Sequence, residues 1–198
     1  NEKGMPERKG VGIFARQIME NNPLLPVEEE GRLNDPGLCD SFITRVYLYA
    51  RWKQLQQAGL NKGNLTQFHA SHKLLVLSFS TEAYRKLGRL LSDFSGMPLK
   101  DIADQYISLL MDTLKKPATR KQHTNVLQHI LGYLKSELGE PHKSDLVETI
   151  DAYRRGEYPL VVPVKLLQHY FNLHPHPYIA QQVYMNPHPQ ALMLRNSL

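Results

Sequence analysis

PATRKQHTNVLQHILGYLKSEL, residues 117–138, is the stretch whose reading decides the fold. Pro117 suits a first helical turn, where its missing N–H costs nothing, and Gly139 followed by Pro141 stops a helix at the far end. The stretch therefore reads as one long helix from Pro117 to Leu138. At about 100° per residue, Leu127, Ile130, Leu131, Leu134 and Leu138 share one stripe, which is a core-facing pattern. Carried back one to two turns, the same stripe meets His123 and then Arg120, so the helix has a dry end and a polar end. Burying such groups is costly unless something pairs with them. Two outcomes fit: long polar side chains closing the edge of a core, or a binding or reactive site. Lys121, Asn125, Gln128 and His129 fall on other faces.

Working outward, a second helix of the same kind runs from about Asn64, its expected cap, to Phe79. Leu65, Phe68, His69, His72, Leu75, Val76 and Phe79 lie on one stripe, with Lys73 at its edge. Two helices with histidines set in apolar faces pack most simply against each other. That predicts a pocket built from His69, His72, His123 and Asn125, with Arg120 and Lys73 beside it. Three chemistries compete for it. A metal site would draw on the three histidines, but no carboxylate stands at matching helical spacing, and no metal ligands are assigned. Acid–base catalysis by a histidine lacks a companion nucleophile or paired carboxylate, and no catalytic residue is assigned. Recognition of an anion or a base by Arg, Lys, His and Asn suits the local charge best.

The remaining elements follow from their punctuation. Val11 to Asn21 reads as a short amphipathic helix, broken by Pro23-Leu24-Leu25-Pro26, and Glu28-Glu29-Glu30 as a solvated helix start. Asp35-Pro36 caps and opens a helix to Ala58, closed by Gly59, with an apolar surface expected from Leu38, Phe42, Ile43, Val46, Ala50 and Trp52 to Leu55. Thr81 to about Ser92 follows with Arg85, Lys86 and Arg89 outward, then Leu99 to Leu114. Ser144 caps a helix that ends in Arg154-Arg155-Gly156, Pro159 to Pro163 is expected to run extended, and Pro163 opens the next helix. The proline-punctuated end, His174 to Arg195, is expected to wrap the surface. Strand alternation of useful length is absent. The fold class is all-α, a helical bundle of about eight helices with that tail.

The 198 residues suffice for one core. No apolar run approaches the ~18 residues of a membrane span, and no membrane partner is expected. A single cysteine, Cys39, excludes an internal disulfide and a cysteine-ligated cluster made by this chain alone, and suits a reducing, cytoplasmic setting. The net charge of +5 is unevenly placed. Residues 62–125 hold ten Lys and Arg against five Asp and Glu, whereas residues 1–61 hold eight of each and residues 126–198 six of each. A local cationic region suits a polyanion such as nucleic acid. Lys115-Lys116 through Arg120-Lys121 crowd one helix start, a natural phosphate site. Lys73, Lys115, Lys116, Arg120, Lys121, Arg154 and Arg155 are the candidate phosphate contacts. Asn1 to Gly12, rich in Gly, Pro and charge, reads as a linker from a preceding domain, with residues 13–198 as the helical domain.

Several strings together carry a resemblance. Gly10-Val11-Gly12-Ile13-Phe14-Ala15-Arg16, Leu24 through Leu33 (LLPVEEEGRL), Phe68-His69-x-x-His72-Lys73, Arg120-Lys121-x-His123-Thr124-Asn125-Val126-Leu127-x-His129, and Tyr153-Arg154-Arg155-Gly156 through Pro163 resemble the YbgA-like domain family over nearly the whole chain. In that family the domain often looks like the C-terminal half of a fusion. The N-terminal half is similar to an iron–sulfur desulfidase of thiolated uracil, in fused form a tRNA 2-thiouridine desulfidase. The resemblance implies that any iron–sulfur cluster and the sulfur-removing chemistry belong to that N-terminal half. It further implies that this chain, which needs no cofactor of its own, is an accessory domain helping to bind tRNA. Two alternatives stay open on the residues: a histidine-based metal-dependent or acid–base enzyme, and a structural module that only docks on the desulfidase half.

Overall fold

The computed structural model describes residues 12–198. The linker read at residues 1–12 therefore lies, Gly12 apart, outside the described residues. Among these the chain is all-α, with no strand: α1 (Ile13–Asn21), α2 (Pro36–Gln57), α3 (Lys62–Phe79), α4 (Thr81–Leu90), α5 (Leu99–Thr113), α6 (Arg120–Leu131), α7 (Glu140–Arg155), α8 (Val161–Leu173) and α9 (Pro177–Ala180), with 3-10 turns between and after them. Among the described residues no helix is long and apolar enough to cross a membrane.

The caps follow the sequence closely in places. Asp35 accepts from the Leu38 N–H and Pro36 sits in the first turn of α2, while Ser80 accepts from the Ala83 N–H to open α4. Elsewhere a better cap wins. Asn61, not Asn64, starts α3: the two asparagines cap each other reciprocally. Thr119 does the same with Gln122, so α6 begins at Arg120 and leaves Pro117 outside the helix. The expected single helix also ends early, at Leu131, and tightens into a 3-10 turn at Gly132–Leu134. Gly139 and Pro141 open α7 rather than merely closing what precedes them, so Ser144 is not its cap. Pro159–Pro163 is not extended either: Leu160 is already helical and Pro163 lies in the first turn of α8, where no N–H is needed.

At the centre α3 packs against α4, α5, α6 and the 3-10 turn Val183–Met185, and α6 packs in turn against α7 and α8. Both stripes face this core. Leu65, Phe68, Leu75, Val76 and Phe79 of α3 are buried, as are Leu127, Ile130, Leu131, Leu134 and Leu138. The face of α2 differs from the expected one. Trp52 is buried as expected, but Ser41, Thr44 and Leu48 are buried beside it with Asp40 and Arg45, whereas Val46 and Ala50 are exposed. Nor is the acidic run wholly solvated: Glu28 pairs with Arg32 at 2.6 Å and with buried Arg45 at 3.4 Å. The tail does more than wrap the surface, since Ile179, Gln182, Tyr184, Met185, His188 and Arg195 are all buried.

Candidate functional site

α3 and α6 meet as expected, but their histidines enter two separate environments. His72 donates its Nδ1–H to the Phe68 carbonyl at 2.7 Å and stacks on the Phe68 ring, 4.0 Å between centroids. His69 Nδ1 lies 3.3 Å from the hydroxyl of Tyr106, whose ring packs against Trp52 and Phe68. His123 turns the other way, its Nδ1 3.1 Å from the Tyr184 hydroxyl of the tail. Burial pushes His69 and His72 down to about 4 and His123 down to about 3, with the charges of Lys73, Arg51 and Arg195 adding to the effect. All three are neutral imidazoles at neutral pH. Asn125 is exposed on the opposite face of α6 and does not join them. Among the described residues no three His, Cys, Asp or Glu side chains gather in an arrangement that would hold a metal ion.

Around His123 the fold builds a polar cluster that sequence reasoning did not find. His188 Nε2 lies 2.8 Å from Asp40 Oδ1, and Arg195 Nη1 donates to the Tyr184 carbonyl at 2.8 Å with its guanidinium over the Tyr184 ring. Burial alone would raise the Asp40 carboxyl, but the hydrogen bond to His188 and the charge of Arg195 more than reverse this and hold it below the usual carboxylate range. Asp40 is the one ionic anchor tying the tail to α2 among the described residues. No local pattern could reveal a pair 148 residues apart.

The seven nominated cations are dispersed. Arg120 is spent internally: Nη1 donates to the carbonyls of Tyr153 at 2.7 Å and Tyr158 at 3.3 Å, and the guanidinium covers the Tyr153 ring. Lys115 pairs with Asp112 and lines a cavity with Glu28, Glu29 and Arg45. Arg154 pairs with Asp151, and Arg155 with Glu148 and Glu157. Lys116 and Lys121 are exposed.

Lys73 lies elsewhere, in a groove of about 570 Å³ lined by Tyr84, Arg85, Gly88, Arg89 and Ser92. Its ammonium sits 6.0 Å from the centre of the Tyr84 ring. Arg85 and Arg89 stand at i and i+4 on α4, and among the described residues neither they nor Lys73 pairs with a carboxylate, although Lys86 next to them pairs with Glu82. Like charges at that spacing cost a few tenths of a kcal/mol. Gly88 contributes no side chain to this lining, and a Cβ added there would meet nothing within 4 Å.

An aromatic strip continues from this groove. The Tyr84 and Tyr133 phenols lie near enough to Tyr178 to reinforce the effect of burial, which pushes the Tyr178 hydroxyl up to about 12. The Tyr133 and Tyr178 ring centroids are 5.5 Å apart, and His176 stands edge-on to Tyr133 at 4.9 Å. Buried Gln182 fixes this register, donating to the Ala70 carbonyl at 2.8 Å and accepting the Leu74 N–H at 3.3 Å, on either side of Lys73. A signal for the groove was present in the sequence, an aromatic residue immediately before three cations (Tyr84-Arg85-Lys86, Arg89); the strip had none, because its members are brought together from α4, the turn after α6, and α9.

The family model described as "Protein of unknown function (DUF1722)" matches residues 73–189, a span that takes in the groove and the whole aromatic strip. The chain is also similar to the uncharacterized protein YbgA of Escherichia coli (strain K12), with 35% identity over 159 residues, covering 80% of this chain and 94% of that protein. No solved structure matches the chain.

Proposed function

This chain belongs to the DUF1722 family, and from that premise we propose that it is an RNA-binding domain that presents tRNA to an iron–sulfur desulfidase domain. The observation that carries the reading is the groove lined by Lys73, Tyr84, Arg85 and Arg89, in which no carboxylate among the described residues neutralises the three cations. Three unpaired cations about an aromatic ring make an electrostatic and stacking surface for a nucleic-acid strand: the cations follow phosphates and the ring accepts a base or ribose face. Lys121 and Lys116 are exposed and free to meet phosphates, whereas Arg120 and Arg155 serve the fold.

The partner is inferred from the resemblance of the LPVEEEGRL and HTNVLQH strings to domains fused to thiouracil desulfidases. With Cys39 as its only cysteine, the chain cannot supply a cysteine-ligated cluster, so the cluster and the sulfur chemistry would reside in the desulfidase domain. The division of labour is then physical: one domain provides nonspecific affinity and orientation, the other the reaction.

The test is tRNA affinity at two salt concentrations for the 198-residue protein and for a Lys73→Ala, Arg85→Ala, Arg89→Ala triple variant. Loss of about three phosphate contacts should reduce the slope of log affinity against log salt by about 2 to 3. Affinity and slope equal to those of the parent would overturn the assignment.

A further inference from the structure

Beyond the end of the aromatic strip lies a cavity of about 370 Å³, lined by Tyr133, Glu137, Leu173, His174, Pro175 and His176. This volume falls in the range of small-molecule sites, about 300 to 1,000 Å³. Its chemistry differs from that of the groove. The walls offer one phenol ring, two imidazoles, two apolar side chains and a carboxylate, with no lysine or arginine among them. Glu137 would repel a phosphate, so the cavity is unsuited to the backbone of a nucleic acid. A flat heteroaromatic ring suits it: Tyr133 supplies a face for stacking, Leu173, 61% exposed, supplies an apolar contact, and Glu137 accepts an N–H from the ring's edge. His176 lines the cavity as well, edge-on to Tyr133.

We propose that this cavity binds an unpaired nucleobase of an RNA whose phosphates lie in the Lys73–Arg85–Arg89 groove. The inference rests on the RNA-binding reading and narrows it to a substrate class: RNA with an unstacked base, in a loop, bulge or end. Tyr178 packs against Tyr133 at the cavity and lies within electrostatic reach of Tyr84 in the groove, so a strand can pass from one site to the other by way of these three rings. A duplex could fill the groove, but its bases are paired and stacked and cannot enter the cavity.

Two RNAs of equal phosphate number separate the possibilities, a hairpin with 2-aminopurine in its loop and a fully paired duplex carrying the same fluorophore. The 198-residue protein should bind the hairpin about tenfold more tightly and change the fluorescence of the loop base. Tyr133→Leu should abolish both the preference and the fluorescence change while keeping the salt slope, and Tyr133→Phe should retain both. Equal affinity for hairpin and duplex, unaltered by Tyr133→Leu, would overturn the base site and leave the groove standing. Failure to bind either RNA at low salt would overturn the RNA-binding reading, and the base site with it.

Discussion

Acidification from pH 7 to pH 5 should cost this fold about 5 to 6 kcal/mol, chiefly through three histidines. His69, His72 and His123 are buried as neutral rings whose proton affinities fall from an ordinary value near 6.5 to about 4, about 4 and about 3. Their folded values lie below their unfolded ones. Above pH 6.5 both states are therefore neutral at these sites and nothing is lost. As pH falls below 6.5 the unfolded chain takes up protons that the folded chain refuses, and the loss grows until the folded values are reached. For each ring the loss between pH 7 and pH 5 is about 2 kcal/mol. The sum is comparable with the ~5 to 15 kcal/mol stability of a typical domain. Urea unfolding followed by circular dichroism at pH 7, 6 and 5 measures it. His72→Phe keeps a flat ring on Phe68 and removes one titrating group, so the loss should shrink by about a third. A stability that stays flat from pH 7 to pH 5, or a His72→Phe variant with undiminished pH dependence, would refute the burial argument.

Asp40→Ala should destabilise the domain by about 3 to 5 kcal/mol, because it leaves the Arg195 charge and the His188 ring buried without their carboxylate; thermal unfolding against the parent measures it, and a loss below 1 kcal/mol would mean the tail is held by other contacts. Gln182→Ala removes hydrogen bonds to Ala70 and Leu74 at a cost of about 1 to 3 kcal/mol. It should also weaken the preference for unpaired bases, since Tyr178 loses its tie to α3, while the salt slope of RNA binding stays at the parent value.

The α3 and α6 stripes were legible because a 3.6-residue period reports one buried face whatever covers it. So were the starts of α2 and α4, where Asp35 and Ser80 cap locally. What the sequence could not show was partnership over distance. On α2 the apolar residues Phe42, Val46 and Ala50 suggested a face, yet the buried one carries Asp40, Ser41, Thr44 and Arg45, three of them made tolerable by a distant environment: His188 for Asp40, the Leu114 carbonyl for Ser41, Glu28 for Arg45. The histidine pocket failed to close for a related reason. His69 and His123 each find a different tyrosine hydroxyl, Tyr106 and Tyr184, which turns them apart. Likewise, the cations from Lys115 to Lys121 are dense in sequence but not in space, as Lys115 pairs with Asp112 and Arg120 turns inward.

The groove cannot be accounted for by folding energetics. Several surface cations are neutralised by a carboxylate within one helical turn: Lys86 with Glu82, Lys115 with Asp112, Lys143 with Glu140, Arg154 with Asp151. Each such pair contributes only a few tenths of a kcal/mol. Glutamate at position 88, where Gly88 lines the groove, would place an acid three residues from Arg85 on α4 and offset the repulsion between Arg85 and Arg89. Gly88 instead adds a helix-interior penalty of about 1 kcal/mol relative to alanine. A stretch of α4 that forgoes available stabilisation in two ways, and does so beside a half-exposed tyrosine, is better explained by an external anion than by the needs of the bundle. That anion must also tolerate, a short distance along the strip, a cavity with an acidic rim and stacking faces. A nucleic acid strand satisfies both, its phosphates in one place and its bases in the other, whereas an acidic protein segment would satisfy the groove alone.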